Sequence, residues 1–186
     1  MPVHRILGGG SLLALCLACG GSSFTVNGTI KGNSLKPGDA ASSLGTIYWA
    51  FDSTPPNGAV LVLSNSSGLC ASASAGKEPK SSQFMTFTVG DLTTNLAPTV
   101  GTYTIWQGTP TLTKLASAQY AQTDANCQQI QFAGAVSGMI TVTSINNGDV
   151  SGNFDLTFDS GDHVTGSFSA KNCNALIPAL SNSTCG

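Results

Sequence analysis

Charge is scarce in this sequence of 186 residues. Only 9% of the residues are charged, the net charge at pH 7 is −2, and the single arginine, Arg5, stands near the N-terminus. The lysines are scattered along the rest of the chain. Nucleic acids and anionic membrane surfaces are bound through dense basic patches. The composition therefore argues against both as partners.

Candidate catalytic side chains are also few. Glu78 is the only glutamate, and His163 is the only histidine besides His4. A glycosidase needs two carboxylates across a cleft, and no convincing pair is present. There is no G-x-S-x-G motif, and Asp162, the neighbour of His163 in a predicted strand, points to the opposite face. We therefore predict no catalytic residues, no cofactor and no enzymatic activity, with a hydrolase as an alternative.

Three aspartates surround one predicted turn and raise the question of a metal. Calcium prefers several oxygen ligands from such loops. The spacing of Asp155, Asp159 and Asp162 matches neither an EF-hand nor a nonapeptide repeat. We expect Asp159 and Asp162 to cap the turn through backbone hydrogen bonds, and we predict no metal site.

The N-terminus carries an export signal. Arg5 precedes an apolar run over residues 6–17, which is too short to span a bilayer as a stable helix, and Ala18 is the small residue required before a signal-peptidase cut. Residues 1–18 therefore form a predicted signal peptide.

The next residue is a cysteine, and Leu17-Ala-Cys-Gly20 resembles the bacterial lipobox. The resemblance implies a diacylglycerol on the sulfur of Cys19 and an acylated N-terminus. Gly20, where inner-membrane sorting signals have Asp, implies the outer membrane. Residues 19–23 then form a lipidated tether to a single domain over residues 24–186. An ordinary leader, cut within residues 20–23, is the alternative.

Four cysteines remain in the predicted mature chain: Cys70, Cys127, Cys173 and Cys185. An even number in an exported chain predicts two disulfides. Three pairings are possible, and we favour Cys70–Cys127 and Cys173–Cys185. Zinc is the competing interpretation, which the lack of any C-x-x-C pair among these four cysteines disfavours.

Apolar and polar residues alternate in many short segments, and 22 glycines punctuate the chain. This pattern predicts an all-β fold, an antiparallel β-sandwich of about nine strands, with a closed lipocalin-like barrel as the alternative. Segments 24–30, 46–51, 59–63, 84–89, 102–106 and 116–121 are predicted strands. Segments 64–82 and 91–99 are predicted loops, and residues 175–180 are predicted to form one helical turn interrupted by Pro178.

The clearest pattern is a three-stranded meander over residues 137–170. Three-residue loops ending at Gly148 and Gly161 would place a glycine in the left-handed position that such hairpins need. They would also set Ile140 opposite Phe154 and Leu156 opposite Val164. One face of the meander would then be buried, and the opposite face, with Asn153 and Asp155, would be solvated.

Aromatic residues are the remaining candidates for a binding surface. Tyr48 and Trp49 are neighbours in a predicted strand, so one of them points outward. With Trp106 they are the candidate ligand-facing residues, since exposed aromatics on a β-face suit sugar stacking. Ordinary core and rim packing is the alternative explanation.

Four segments resemble small uncharacterised lipoproteins of Gram-negative bacteria. They are Gly152–Cys173 (GNFDLTFDSGDHVTGSFSAKNC), Phe24-Thr-Val-Asn-Gly, Gly101-Thr-Tyr-Thr and Asp124-Ala-Asn-Cys127. The resemblance implies an exported β-domain and brings no activity with it. We predict a non-enzymatic, lipid-anchored structural or binding module of the cell envelope, with envelope polysaccharide or protein as candidate partners. A carbohydrate- or peptide-binding domain and a carrier of a small apolar ligand are the alternatives.

Overall fold

A computed structural model describes residues 21–47, 57–92, 97–108 and 113–186. Cys19, Tyr48 and Trp49 lie outside the described residues. Within these ranges the chain is mostly strand, with few and short helices. The elements are β1 (Ser23–Asn27), β2 (Asp39–Thr46), β3 (Asn57–Ser64), α1 (Leu69–Ser74), β4 (Lys77–Glu78), β5 (Gln83–Asp91), β6 (Gly101–Ile105), β7 (Lys114–Thr123), β8 (Gln129–Asn146), β9 (Asp149–Phe158), β10 (His163–Asn172), α2 (Leu176–Asn182) and β11 (Thr184–Cys185). None of the described helices is long and apolar enough to cross a bilayer.

Nine of the strands join one sheet in the order β1-β10-β2-β3-β5-β7-β6-β8-β9, and β4 pairs with β11. The sheet is mixed, because β10–β2 and β6–β7 are parallel whereas the other pairs in it are antiparallel. Strand β10 also pairs with β9, and β7 also pairs with β8. The prediction of an all-β fold with about nine strands is confirmed.

The sheet folds back on itself around a filled core. The ring of Phe87 on β5 lies 5.1 Å from that of Phe154 on β9 and 5.9 Å from that of Phe168 on β10, measured between centroids. These strands are not neighbours of β5 in the sheet, so the contacts cross the interior. A lipocalin-like carrier would have an empty apolar cavity inside the sheet. Here the side chains of Phe87, Phe154 and Phe168 fill the space between β5, β9 and β10.

A second apolar cluster lies on the outer face of the sheet. Strand β3 is buried on both faces, since Leu61 packs in the main core and Val60 and Val62 pack in this outer cluster. Leu69 of α1 and Leu176 of α2 complete the outer cluster. The two helices therefore cover part of the outer face.

The register of the meander is confirmed. Ile140 pairs with Phe154 and Leu156 pairs with Val164, and all four are almost fully buried. The loop over residues 159–161 has the expected three residues, with Gly161 at φ +83°.

The prediction of a three-residue loop between β8 and β9 is wrong. The loop has two residues, Asn147 and Gly148, both at positive φ, as in a type I′ hairpin. A bulge at Thr143 adds one unpaired residue to β8 and restores the register that buries Ile140.

Two disulfides are present, as predicted, but the favoured pairing is wrong. Cys70 is bonded to Cys173, and Cys127 is bonded to Cys185, with a Cα–Cα distance of 5.5 Å in each pair. The stretch 64–82 is not only loop. It contains α1, which carries Cys70 to the end of β10, where Cys173 follows. The chain after α2 then pairs with β4 and brings Cys185 to Cys127.

Helix α2 coincides with the predicted helical turn but is not interrupted. Pro178 is its third residue. A proline in the first turn removes an N–H that has no partner within the helix, so it does not break the helix there.

Candidate functional site

An apolar groove lies on the outer face of the sheet, between the two helices. Strands β3, β5 and β7 form its floor, α1 and α2 form its walls, and β4 closes one side. The cavity measures about 220 Å³. Its lining residues are Val62, Leu69, Ser72, Ala73, Lys77, Glu78, Pro79, Phe84, Thr86, Ala121, Leu176, Ala179, Leu180 and Ser183.

Strand register explains why the floor is apolar. Phe84 on β5 pairs with Ala121 on β7, and Ala121 pairs with Phe132 on β8. Directly paired residues project from the same face of a sheet, with their Cβ atoms about 5 Å apart. The apolar surface therefore continues from the floor of the groove through Ala121 to Phe132, whose exposure is 40%.

Small side chains on the walls leave the space open. Ser72 and Ala73 face the groove from α1, and Ala179 faces it from α2. Leu180 stands at the lip and is 54% exposed. An apolar group that entered the groove would therefore contact short side chains and leucines on the walls, and Val62 and Phe84 on the floor.

Two charged residues mark the rim beside β4. Lys77 donates a hydrogen bond of 3.2 Å from Nζ to Thr184 Oγ1. Burial raises the pKa of the Glu78 carboxyl above its usual range. The polar end of a bound ligand could contact Lys77 and Glu78 here, while the rest of the lining is mainly apolar.

The two disulfides tie down α1 and the segments on either side of α2. Cys70 follows the lining residue Leu69 in α1, and its partner Cys173 accepts a hydrogen bond of 3.0 Å from the N–H of Leu176. Cys185 ends the segment that follows α2 and is bonded to Cys127 beyond β7. The helices are therefore held on the sheet by covalent bonds as well as by packing.

The described chain begins beside this groove. Ser22 Oγ donates a hydrogen bond to Asp39 Oδ1, and Asp39 Oδ2 accepts one of 2.9 Å from the N–H of Leu69. One carboxylate therefore connects the N-terminal segment to a residue that lines the groove.

Of the three predicted ligand-facing aromatics, Trp106 lies within the described residues, whereas Tyr48 and Trp49 lie outside them. Trp106 is half-buried and packs against the outer apolar cluster, but it does not line the groove. Its backbone N–H donates a 2.9 Å bond to the carbonyl of Ala116. Tyr103 is fully buried, and its hydroxyl donates a 2.6 Å bond to the Thr99 carbonyl.

His163 has a carboxylate partner that the sequence did not reveal. Its Nε2 lies 2.7 Å from Asp155 Oδ1, across the β9–β10 pair, and the two side chains are 58% and 62% exposed. Asp162 instead accepts a 2.7 Å bond from the N–H of Lys31 and a 2.6 Å bond from Ser160 Oγ. These two bonds lower the pKa of the Asp162 carboxyl. The His163–Asp155 pair thus lies on an exposed strand face.

The three aspartates of the calcium hypothesis have separate roles. Asp155 binds His163, Asp162 binds Lys31 and Ser160, and the N–H of Asp159 donates a 2.8 Å bond to the Gly134 carbonyl. No group of three or more His, Cys, Asp or Glu side chains that could hold a metal occurs within the described ranges.

A scan of protein-family models finds no match to this chain, and neither do searches of curated proteins and of solved structures. The function is therefore argued from the groove and the sequence alone.

Sequence reasoning missed the groove because segment 64–82 was predicted to be loop. The available signal was a cysteine beside a run of small residues, Cys70-Ala-Ser-Ala-Ser74, followed by a second apolar segment near Cys173. Neither segment has the length or period of a typical helix.

Proposed function

We propose that this chain is an exported, lipid-anchored, non-enzymatic binding module of the cell envelope. Its anchor is a lipid on Cys19 in the outer membrane, and its binding site is the groove between α1 and α2. The observation that carries the proposal is the groove itself, an apolar hollow of about 220 Å³ on the outer face of a filled β-fold.

The size of the groove limits what it can hold. An apolar cavity of about 150 Å³ is enough for benzene, whereas sites for drug-sized ligands measure roughly 300–1,000 Å³. The groove lies between these values and is open on one side. It therefore suits one extended apolar chain or one or two apolar side chains of a peptide, rather than a bulky ligand.

Several features support an envelope location for this module. The leader and the Leu17-Ala-Cys-Gly20 segment support export and lipidation. Disulfides persist in oxidising compartments, and here they hold the walls of the groove. The tether between Cys19 and the described chain is short and rich in glycine, which would keep the groove close to the bilayer.

The anchor can be tested with two cysteine variants. Cys19→Ser should lose incorporated fatty acid and leave the membrane fraction, or remain unprocessed. Cys16→Ser is the matched control, because residue 16 leaves with the leader, and it should behave as wild type. Intact-mass measurement that finds an unmodified N-terminus within residues 20–23 would refute the anchor.

The binding site can be tested with a fluorescent apolar probe, N-phenyl-1-naphthylamine, and the unlipidated chain. Ala179→Phe fills the groove from α2 and should lower probe affinity at least tenfold. Ser181→Phe adds the same ring to the exposed side of α2 and should leave affinity within twofold of wild type. Equal affinities for the two variants would show that the probe does not bind in the groove.

A further inference from the structure

We propose that the groove holds an acyl chain of the lipid on the protein's own Cys19. The inference names the occupant of the proposed binding site, and it rests on the proposed function because it requires Cys19 to be lipidated. The domain would thus cover part of its own anchor whenever that anchor is in water.

The position of the N-terminal segment is the first support. Ser22 and the N–H of Leu69 bind the two oxygens of the same carboxylate, Asp39. Asp39 begins β2 and is paired with Ser64, the residue next to Phe84 on the outer face of the sheet. Leu69 and Phe84 both line the groove. The tether therefore leads to the same face and the same end of the sheet as the groove.

The reach of the tether is the second support. Cys19 is three residues before Ser22, and three residues span at most about 10 Å when extended. A lipid on Cys19 would therefore begin within about 10 Å of Ser22, which is held on the face of the sheet that carries the groove.

The chemistry of the lining is the third support. The floor of Val62, Phe84 and Ala121 presents apolar surface, and Leu180 at the lip is more than half exposed. Each methylene removed from water improves an equilibrium about fourfold. An acyl chain needs no polar partner along its length, so this lining suits it better than it suits a sugar or an extended polar peptide.

Covalent attachment gives the protein's own lipid an advantage over free ligands. A short flexible linker creates an effective concentration in the millimolar range, which exceeds the concentration of most free apolar molecules in water. In a bilayer the lipid tails offer an equally apolar environment along the whole acyl chain, and the chain can leave the groove.

Photo-crosslinking of the full lipidated protein tests this directly. A p-benzoylphenylalanine is placed at position 84 on the floor of the groove, and a second variant carries it at position 180, where replacement of the exposed Leu180 leaves the core intact. Val136, which is 49% exposed on β8 and does not line the groove, is the control position. After irradiation in detergent below its micelle concentration, peptides are analysed by mass spectrometry.

The expected result is a peptide containing position 84 or 180 joined to the lipidated Cys19 peptide. It should be absent from the Val136 control, reduced at least fivefold by Ala179→Phe and unaffected by Ser181→Phe. Mixing ¹⁵N-labelled and unlabelled protein identifies the donor of the lipid, and the linked peptides should come from the same molecule.

Two results would overturn the inference and leave the proposed function standing. One is a lipidated Cys19 with no crosslink from either groove position, and the other is crosslinks only between labelled and unlabelled copies. An unmodified Cys19 in the intact-mass spectrum would overturn both the inference and the proposed anchor.

Discussion

Gly166 should be one of the least replaceable residues of the fold. It lies on β10 opposite Phe154 and beside β1. A Cβ at this position would be 2.0 Å from the Thr25 carbonyl oxygen and 2.4 Å from Cζ of Phe154. The ring could turn aside, but the carbonyl belongs to the backbone of β1, so an alanine must displace that strand.

The expected cost of Gly166→Ala is about 3 kcal/mol, the upper part of the range for overpacking a core. Gly134→Ala is the matched control, since Gly134 is also within a strand, does not have a positive φ, and has no atom within 4 Å of its would-be Cβ. Gly134→Ala should stabilise the fold by about 0.4–1 kcal/mol, because alanine lowers the conformational entropy of the unfolded chain.

Urea melts measure both variants. With a slope of about 2 kcal/mol/M, Gly166→Ala should lower the midpoint by about 1.5 M, whereas Gly134→Ala should raise it by about 0.2–0.5 M. If Gly166→Ala lies within about 0.5 kcal/mol of wild type, β1 does not pack against β10 as described. Because part of the clash is with the Phe154 ring, the costs of Gly166→Ala and Phe154→Ala should add to more than the cost of the double variant.

Three further predictions concern the meander, the second disulfide and an ion pair. Phe154→Ala should cost about 3–5 kcal/mol and Asn153→Ala no more than about 0.5 kcal/mol in the same melts; equal losses would mean that both faces are buried. The double variant Cys127→Ser/Cys185→Ser should be less stable by up to about 4 kcal/mol, because the Cys127–Cys185 disulfide closes a loop with a sequence separation of 58. An unchanged urea melt, or a non-reduced peptide map that shows other cysteine pairs, would contradict this connectivity. Lys171 Nζ donates a 2.6 Å hydrogen bond to Asp149, and the N–H of Asn172 donates one of 2.8 Å. These bonds lower the pKa of the Asp149 carboxyl. The contribution of Asp149 to stability is therefore present above the unfolded pKa and is lost as the pH falls through the lowered folded pKa. Asp149→Asn should therefore be slightly less stable at neutral pH and equal to wild type in strong acid, and a difference that persists in strong acid would refute the electrostatic explanation.

The meander could be predicted because its determinants are local. Apolar residues recur at every second position, and a glycine ends each turn. The burial of Ile140 opposite Phe154 fixes the register, and the chain reaches it through a type I′ turn with a bulge at Thr143 rather than through the expected loop. The strand register could therefore be predicted from the residues that must be buried, whereas the turn type could not.

Strand β2 could not be predicted, because its sequence Asp-Ala-Ala-Ser-Ser-Leu-Gly-Thr lacks large alternating side chains. Its place depends on partners far along the chain. Ser42 is fully buried, and its hydroxyl donates a 2.8 Å bond to the carbonyl of Gly148 and lies 3.2 Å from that of Ala170. Small residues suit β2 because β10 and both helices approach this strand closely.

The first half of β8 was missed for a different reason. Ile130 and Phe132 alternate with polar residues, but these apolar side chains point to solvent, with exposures of 57% and 40%. Alternation of apolar and polar residues indicates which side chains of a strand are buried only when the covered face of the sheet is known. Here the inward positions hold small residues such as Ala133.

The location of the groove follows from how the fold uses its two surfaces. The inner face of the sheet is filled by side chains, whereas the outer face is only partly covered by α1 and α2. Only six and seven residues long, α1 and α2 are too short to be stable alone, and they persist because apolar contacts and two disulfides hold them against the sheet. Two helices this short cannot cover a broad sheet completely, and the uncovered area between them is the groove. Cleaving the Cys127–Cys185 bond would release the segment after α2, and the affinity of the groove for an apolar chain should fall with it.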